Sequence, residues 1–203
     1  MTFRRDPKFK LLLVRHGQTD ANKEMRFVGS TDVPLNKTGR EQARLMAARL
    51  AERPIEHIYS SPALRAHETA KLINNSLQAE ISLDERLWEL DHKNWEGKTI
   101  QEIYDQDPQA WEDWMNLKIE APHGGETLED VAIRARSWLT DLDKAYEGKN
   151  HTLLVAAHGG LLQVMLCELL GTTRRNFWPY RFQNTGLAEV WVYNLGATLI
   201  SFG

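Results

Sequence analysis

Two short apolar runs, far apart in the chain, end in the same way. Leu11-Leu12-Leu13-Val14 runs into Arg15-His16-Gly17, and Leu153-Leu154-Val155-Ala156-Ala157 runs into His158-Gly159-Gly160. A brief, uniformly apolar segment reads as a strand covered on both faces, the pattern of a buried parallel sheet. In an open α/β sheet, ligands bind beyond the carboxyl ends of the strands. Two strands of one such sheet would bring both imidazoles to one pocket.

The remaining segments alternate between helical and extended patterns. Residues 17–36 are polar and rich in turn formers, and read as a long loop. Thr38-Gly39-Arg40-Glu41 matches a capping box, and Ala43, Met46, Ala47 and Leu50 follow at helical spacing. Ile58-Tyr59-Ser60 reads as a strand. Ser61 and Pro62 then fit the cap and first residue of a helix with inner face Ala66, Ala70, Ile73 and Leu77. Residues 81–98 are irregular, with a short strand near 81–83. Residues 99–117 are helical with a break at Pro108, and Pro122-His123-Gly124-Gly125 is a loop. Thr127 caps a long helix with the stripe Leu128, Val131, Ala135, Trp138 and Leu142. The strand at 153–157 leads to an apolar helix at 161–170, which Gly171 stops. Residues 187–193 and 197–202 form two strands joined around Asn194-Leu195-Gly196. The pattern predicts an α/β fold. It is a three-layer α/β/α sandwich with a largely parallel central sheet, and residues 84–126 make an excursion over its active edge.

Composition narrows the functional classes. A chain of 203 residues, 42% hydrophobic and 26% charged, fits a single domain over residues 1–203 with a sizeable core. No repeat, low-complexity segment or linker interrupts it. The net charge of −3, without a long basic run, argues against nucleic acid as a partner and leaves room for a local cationic pocket. The segment Met1-Thr2-Phe3-Arg4-Arg5-Asp6-Pro7 lacks the apolar core of a signal peptide. No apolar run approaches the roughly 20 residues of a membrane span. A cytoplasmic protein without a membrane partner is therefore expected. Cys167 is the only cysteine, so no internal disulfide forms, and it reads as buried packing. A zinc site needs several converging ligands, and no H-E-x-x-H or paired-cysteine spacing occurs. No metal or other cofactor is expected. His57, His67, His123 and His151 read as surface or capping residues. Trp111, Trp114 and Met115 fit either packing or a pocket wall, and Phe27, Trp178, Tyr180 and Arg181 are open in the same way. Exposed aromatics leave a homodimer open.

The chemistry follows from what a phosphoryl group requires. It is anionic, and arginine meets it with a planar fork of donors. Arg15 stands beside His16. Arg65 falls in the first turn of the helix after Ser61, where free N–H groups already favour anions. Nearby arginines disfavour imidazolium and so keep His16 neutral, able to attack phosphorus and split one displacement into two. His158 can hydrogen-bond the phosphoryl oxygens and stabilise their charge. Glu89, flanked by Leu87, Trp88 and Leu90, has an apolar neighbourhood. A carboxyl kept protonated there can give its proton to a leaving oxygen and later take one from water. Asp91 and Glu85 are weaker candidates for that role.

Six motifs, in order, extend this reading over nearly the whole chain. Arg15-His16-Gly17-Gln18-Thr19 with Asn22 matches RHGxTxxN. Leu35-Asn36-Lys37-Thr38-Gly39 with Gln42-Ala43 matches LxxxGxxQA. Ser60-Ser61-Pro62 with Arg65-Ala66 and Thr69-Ala70 matches SSPxxRAxxTA. Leu87 and Glu89, followed by Trp95-Glu96-Gly97, match LxE and WEG. Gly124-Gly125-Glu126-Thr127 is similar to GGES, and His158-Gly159-Gly160 to a second histidine motif. The chain resembles the histidine phosphatase superfamily in its phosphoglycerate mutase-like branch. That resemblance implies His16 as the phosphorylated residue and Glu89 as the acid/base. It sets Arg15, Arg65 and His158 around the phosphate, with Asn22 adding a hydrogen bond and Thr19 acting less directly. It implies no metal. Where such proteins commonly carry Phe-Gly, this chain has His92-Lys93. The change can favour ionised Glu89, bind a second acidic group of the substrate, or be a surface change without a role, the reading slightly preferred. The Asn184-Thr185-Gly186 turn lies where small polar residues often approach the phosphate.

The resemblance implies a phosphomonoesterase acting on a small phosphorylated metabolite, the expected partner. The alternatives are a cofactor-dependent phosphoglycerate mutase, a non-catalytic phosphate-binding protein and a metallohydrolase. Phosphosugars, phosphoserine, phosphoglycerates, α-ribazole phosphate and fructose 2,6-bisphosphate all remain open as substrates.

Overall fold

Six strands form one sheet in the order β3-β2-β4-β1-β5-β6. They are β1 (Phe9–Arg15), β2 (Ile55–Ser60), β3 (Glu80–Leu83), β4 (His151–Ala157), β5 (Leu187–Tyr193) and β6 (Gly196–Phe202). The structure is a computed structural model and describes residues 6–119, 121, 124–146 and 150–203. The N-terminal residues 1–5, and Pro122 and His123 of the expected loop, lie outside the described residues. Pairing is parallel between β3 and β2, β2 and β4, and β4 and β1. It is antiparallel from β1 to β5 and from β5 to β6. The sheet is therefore largely parallel, as expected.

Residues 11–14 of β1 and 153–157 of β4 are uniformly apolar because both faces are covered. Leu11, Leu13, Leu153 and Val155 point into one core, with Val131 and Trp138 of α6 (Leu128–Ala145) and Leu162 and Met165 of α7 (Gly159–Leu169). Leu12, Val14, Leu154 and Ala156 point into the other. There they meet Met46 and Leu50 of α2 (Lys37–Leu50) and Ala70 and Ile73 of α3 (Leu64–Asn74). The period of two splits each strand between two helical layers. The expected stripe of α6 is buried throughout, and its Thr127 cap forms a capping box with Asp130. Gly171 ends α7 at φ +62°, a backbone conformation that glycine adopts without steric cost. The excursion holds α4 (Ile100–Gln106) and α5 (Pro108–Met115), the latter beginning at Pro108 as expected.

Three local expectations change. Residues 17–36 are not all loop: Asp20–Lys23 form a short helix, α1, capped by Thr19. Asn36, not Thr38, caps α2, its side chain accepting the Gly39 N–H at 2.9 Å. Thr38 is exposed within the helix, and Asn36 prevails because its amide also donates to Gln18 and Asp20. Helix α3 starts at Leu64, after Ser61 and Pro62, and Ala63 at its N-cap makes no side-chain bond. Ser61 Oγ instead accepts from Ala63 N–H.

Replacing Asn36 by alanine is expected to cost about 1–2 kcal/mol, and Thr38 by alanine only a few tenths. Urea unfolding of both variants checks the order.

Candidate active site

Register builds the site. In the parallel β1–β4 pair, Arg15 lies opposite Ala157, so the next residues, His16 and His158, leave the sheet side by side. The His16 N–H completes the ladder by donating to Ala157 O at 2.9 Å. The two imidazoles stand edge to face, with centroids 5.2 Å apart. Both are buried, at 3% and 0% exposure.

The hydrogen bonds define both tautomers. A carbonyl oxygen only accepts, so the 2.7 Å contact from His16 Nδ1 to Gly17 O places the proton on Nδ1 and the lone pair on Nε2. A guanidinium only donates. Arg65 Nε therefore donates to His158 Nδ1 at 3.2 Å, and the His158 proton sits on Nε2, donated to Ser61 Oγ at 2.8 Å. Burial holds the His16 imidazolium well below its ordinary pKa, and Arg15 and Arg65 add to the effect. His158 is lowered in the same way, by burial first and then by Arg65, His16 and Arg15.

The arginines are held by backbone carbonyls. Arg15 donates from Nη1 to Phe182 O at 2.9 Å, and its buried Nε has no protein partner among the described residues. Arg65, 1% exposed, donates to the carbonyls of Thr31 and Gly29 at 2.9 Å each. The first N–H of α3, at Leu64, goes to Asp32 Oδ1 at 2.7 Å, so that amide is already engaged.

Glu89 does not lie in an apolar neighbourhood. Its carboxylate occupies the N-terminus of α7, accepting from Gly160 and Leu161 N–H at 3.0 Å each and from Leu90 N–H at 2.9 Å. A Cβ at position 160 would stand 2.7 Å from Glu89 Oε1, so glycine lets the carboxylate sit close against this turn and a larger residue would displace it. Arg134 fixes the segment from behind. It donates to the carbonyls of Arg86, Trp88 and Glu89 and makes a forked pair with Glu126. The weaker candidates stand apart: Asp91 pairs with Lys93, and Glu85 is exposed.

Asn22 Oδ1 accepts from Thr19 N–H and Asn184 Nδ2, which leaves its own Nδ2 for a ligand. The Thr19 hydroxyl is engaged with the Asn22 N–H, so Thr19 braces Asn22. His92 is not a surface residue: it is 8% exposed, edge-on to Phe27, and its Nδ1 has no partner among the described residues. Trp114 belongs to the core, Trp111 packs on Phe27 and Trp95, and Met115 is exposed. His57, His67 and His151 are half-buried, with His57 bonded to Ser82 and His151 to Glu56. His123 lies outside the described residues. Cys167 is buried and free. No helix among the described residues is long and apolar enough to cross a membrane.

Sequence reasoning missed Ser61 as the His158 partner, and Thr69, whose hydroxyl takes the Gly17 N–H at 3.0 Å. It gave Asn184 little weight, although that residue bonds both His16 O and Asn22. All three fall inside motifs or turns already singled out, so their position was the available signal.

Comparison with known proteins identifies the family and the fold. The family model of the histidine phosphatase superfamily (branch 1) matches residues 11–203. The chain is 32% identical over 186 residues to phosphoserine phosphatase 1 of Hydrogenobacter thermophilus, covering 89% of this chain and 85% of that one. It is 36% identical over 175 residues to glucosyl-3-phosphoglycerate phosphatase of Mycolicibacterium vanbaalenii, covering 84% and 77%. The solved structure of mycobacterial glucosyl-3-phosphoglycerate phosphatase complexed with VO3 superimposes with a TM-score of 0.88. That match is at 30% identity and covers 95% of this chain and 97% of that one.

Buried neutral histidines make stability pH-dependent. In the unfolded chain they take up protons as pH falls through about 6.5, whereas folded His16 and His158 do so only well below it. Between those limits the unfolded state binds more protons. Stability therefore falls with falling pH, by up to about 1.4 kcal/mol per pH unit for each histidine. Thermal melts are expected to shift down between about pH 7 and pH 5, with a shallower slope for His158→Asn.

Proposed function

The chain belongs to the histidine phosphatase superfamily, branch 1, and is a phosphomonoesterase acting on a small phosphorylated metabolite; we propose that it works through a phosphohistidine on His16. One observation carries the mechanism: two neutral imidazoles, 5.2 Å apart, lie in a buried pocket with two guanidinium groups. The charge of a phosphoryl group is met by Arg15 and Arg65, and Asn22 Nδ2 adds a donor. A phosphoryl oxygen takes the place of Ser61 Oγ as acceptor of the His158 Nε2 proton.

In the first step the His16 Nε2 lone pair attacks phosphorus and the ester P–O bond breaks. The ester binds as a monoanion and passes its proton to the Glu89 carboxylate beside it, and the leaving oxygen then takes that proton from Glu89. The proton stays on His16 Nδ1, which donates it to Gly17 O, and that carbonyl stabilises the positive phosphoimidazole. In the second step Glu89 takes a proton from water, the resulting oxygen attacks phosphorus, and the P–N bond breaks. Inorganic phosphate leaves and His16 returns neutral. The guanidinium groups supply the electrostatic stabilisation, so the scheme uses no metal or other cofactor.

Hydrolysis is favoured over the mutase alternative because the relatives above are phosphatases. The substrates in their names, phosphoserine and glucosyl-3-phosphoglycerate, each carry a carboxylate near the phosphate ester. We assign this chain a substrate of that kind, with His92, which lies near Glu89, as the residue that selects for its carboxylate. The chain is further read as one catalytic domain over residues 1–203, cytoplasmic, with a homodimer as the assembly to test by sedimentation.

The reading is tested by incubating the protein with L-phosphoserine and 3-phosphoglycerate. Release of inorganic phosphate is expected, and 2-phosphoglycerate without free phosphate would reverse the assignment. Glu89→Gln should lower kcat by about 100-fold or more, with KM changed far less. His92→Phe should raise KM about tenfold for a carboxylate-bearing substrate, and much less for p-nitrophenyl phosphate.

A further inference from the structure

Trp95-Glu96-Gly97 stands out in the sequence, yet nothing above uses Glu96. Its carboxylate is the hub of a loop. Oε1 accepts from Gly29 N–H at 2.7 Å, Ser30 N–H at 3.2 Å and His92 N–H at 3.4 Å, and Oε2 accepts from the Thr31 hydroxyl at 2.8 Å. The same loop turns its carbonyls the other way. Gly29 O and Thr31 O receive the Arg65 guanidinium at 2.9 Å each, and Val28 O receives it at 3.5 Å. The peptide units of residues 28–31 thus lie between a carboxylate on their N–H side and a guanidinium on their C=O side. Hydrogen bonds polarised in one direction reinforce each other.

We propose that Glu96 is a positioning residue for the phosphate site, setting the Arg65 guanidinium through the loop of residues 28–31 and tying that loop to the segment that carries Glu89. This rests on the reading of Arg65 as a phosphate-binding group. The second half of the link is close packing. A Cβ on Gly29 would stand 2.1 Å from Leu90 O and 3.1 Å from Asp91 Cα, so the loop lies flush against the residues that follow Glu89. Glu96 is itself fixed by the buried Trp95 before it. After it, the Gly97 N–H donates to Phe27 O and the Phe27 N–H to Lys98 O, at 2.9 Å each. Burial disfavours the Arg65 charge; Glu89, Asp32 and Glu96 oppose that effect. One carboxylate therefore holds the anion-binding arm and the acid-bearing segment in fixed relation, although it lies outside the reacting atoms.

The test is inhibition by inorganic phosphate, with kcat and KM measured alongside. Glu96→Gln keeps the side-chain shape and one oxygen acceptor but cannot accept from all of its donors. It should raise the phosphate inhibition constant and KM together by about tenfold, a larger change than in kcat, while the protein still melts cooperatively. Thr31→Val removes one donor and should give a shift of about threefold in the same direction, which keeps the proposal testable if Glu96→Gln does not fold. Arg65→Ala is the reference and should weaken phosphate most. If Arg65→Ala weakens phosphate while Glu96→Gln and Thr31→Val leave it within about twofold, below the loss of one hydrogen bond, the coupling through Glu96 is wrong and the reading of Arg65 survives. If Arg65→Ala itself leaves phosphate inhibition unchanged, both fall.

Discussion

The in-register parallel pairing of β1 with β4 is the constraint from which the site follows. It sets Arg15 opposite Ala157, and so sends His16 and His158 off the same sheet edge together. Everything functional is referred to that edge. Asn184 and Phe182 reach it from the segment before β5, through His16 O and Arg15 Nη1. Arg65 reaches it from the first turn of α3, and Glu89 by seating its carboxylate on the N-terminus of the helix that His158 begins. A slip of one residue between β1 and β4 would turn Leu11 and Leu12 to each other's cores and separate the imidazoles by a strand step. The fitted packing of Leu11 and Leu13 in one core and of Leu12 and Val14 in the other therefore holds the register on which a polar site depends.

The electrostatics make sense only together. Two guanidinium groups buried beside two imidazoles would be costly if all four were charged. The structure resolves this by leaving the imidazoles neutral and giving each arginine backbone carbonyls to bond. What remains is a pocket with net positive charge, a bare imidazole nitrogen and few free donors. Such a pocket suits an anion that arrives, transfers its phosphoryl group and leaves. The shared carboxylate of Glu96 extends the same logic outward, where a single anion orders the loop that holds Arg65.

Much of the frame was legible in the sequence because its signals are local. Uniform apolar runs mark β1 and β4, the stripe of α6 stands out at helical spacing, and glycine after each histidine marks the strand ends. The cap of α2 was misplaced because Thr38 and Glu41 imitate a capping box. Asn36 wins through contacts to Gln18 and Asp20 that helical spacing does not encode. Glu89 stands out in the sequence, but its surroundings do not: the flanking Leu87, Trp88 and Leu90 suggest an apolar pocket, whereas its carboxylate meets backbone N–H groups of residues far along the chain. His92 was read toward the surface for the same reason, since Phe27 covers it from a remote loop. Ser61, Thr69 and Glu96 act through partners distant in sequence. Their motifs were visible, but their roles required the fold.

A crystal structure of the protein with orthovanadate tests the central claim most directly. The account predicts vanadium bonded to His16 Nε2, with Arg15, Arg65 and His158 in contact with its oxygens and Glu89 on the side of the leaving group. Vanadate bound elsewhere, or held in the pocket with no bond to His16 Nε2, would contradict it.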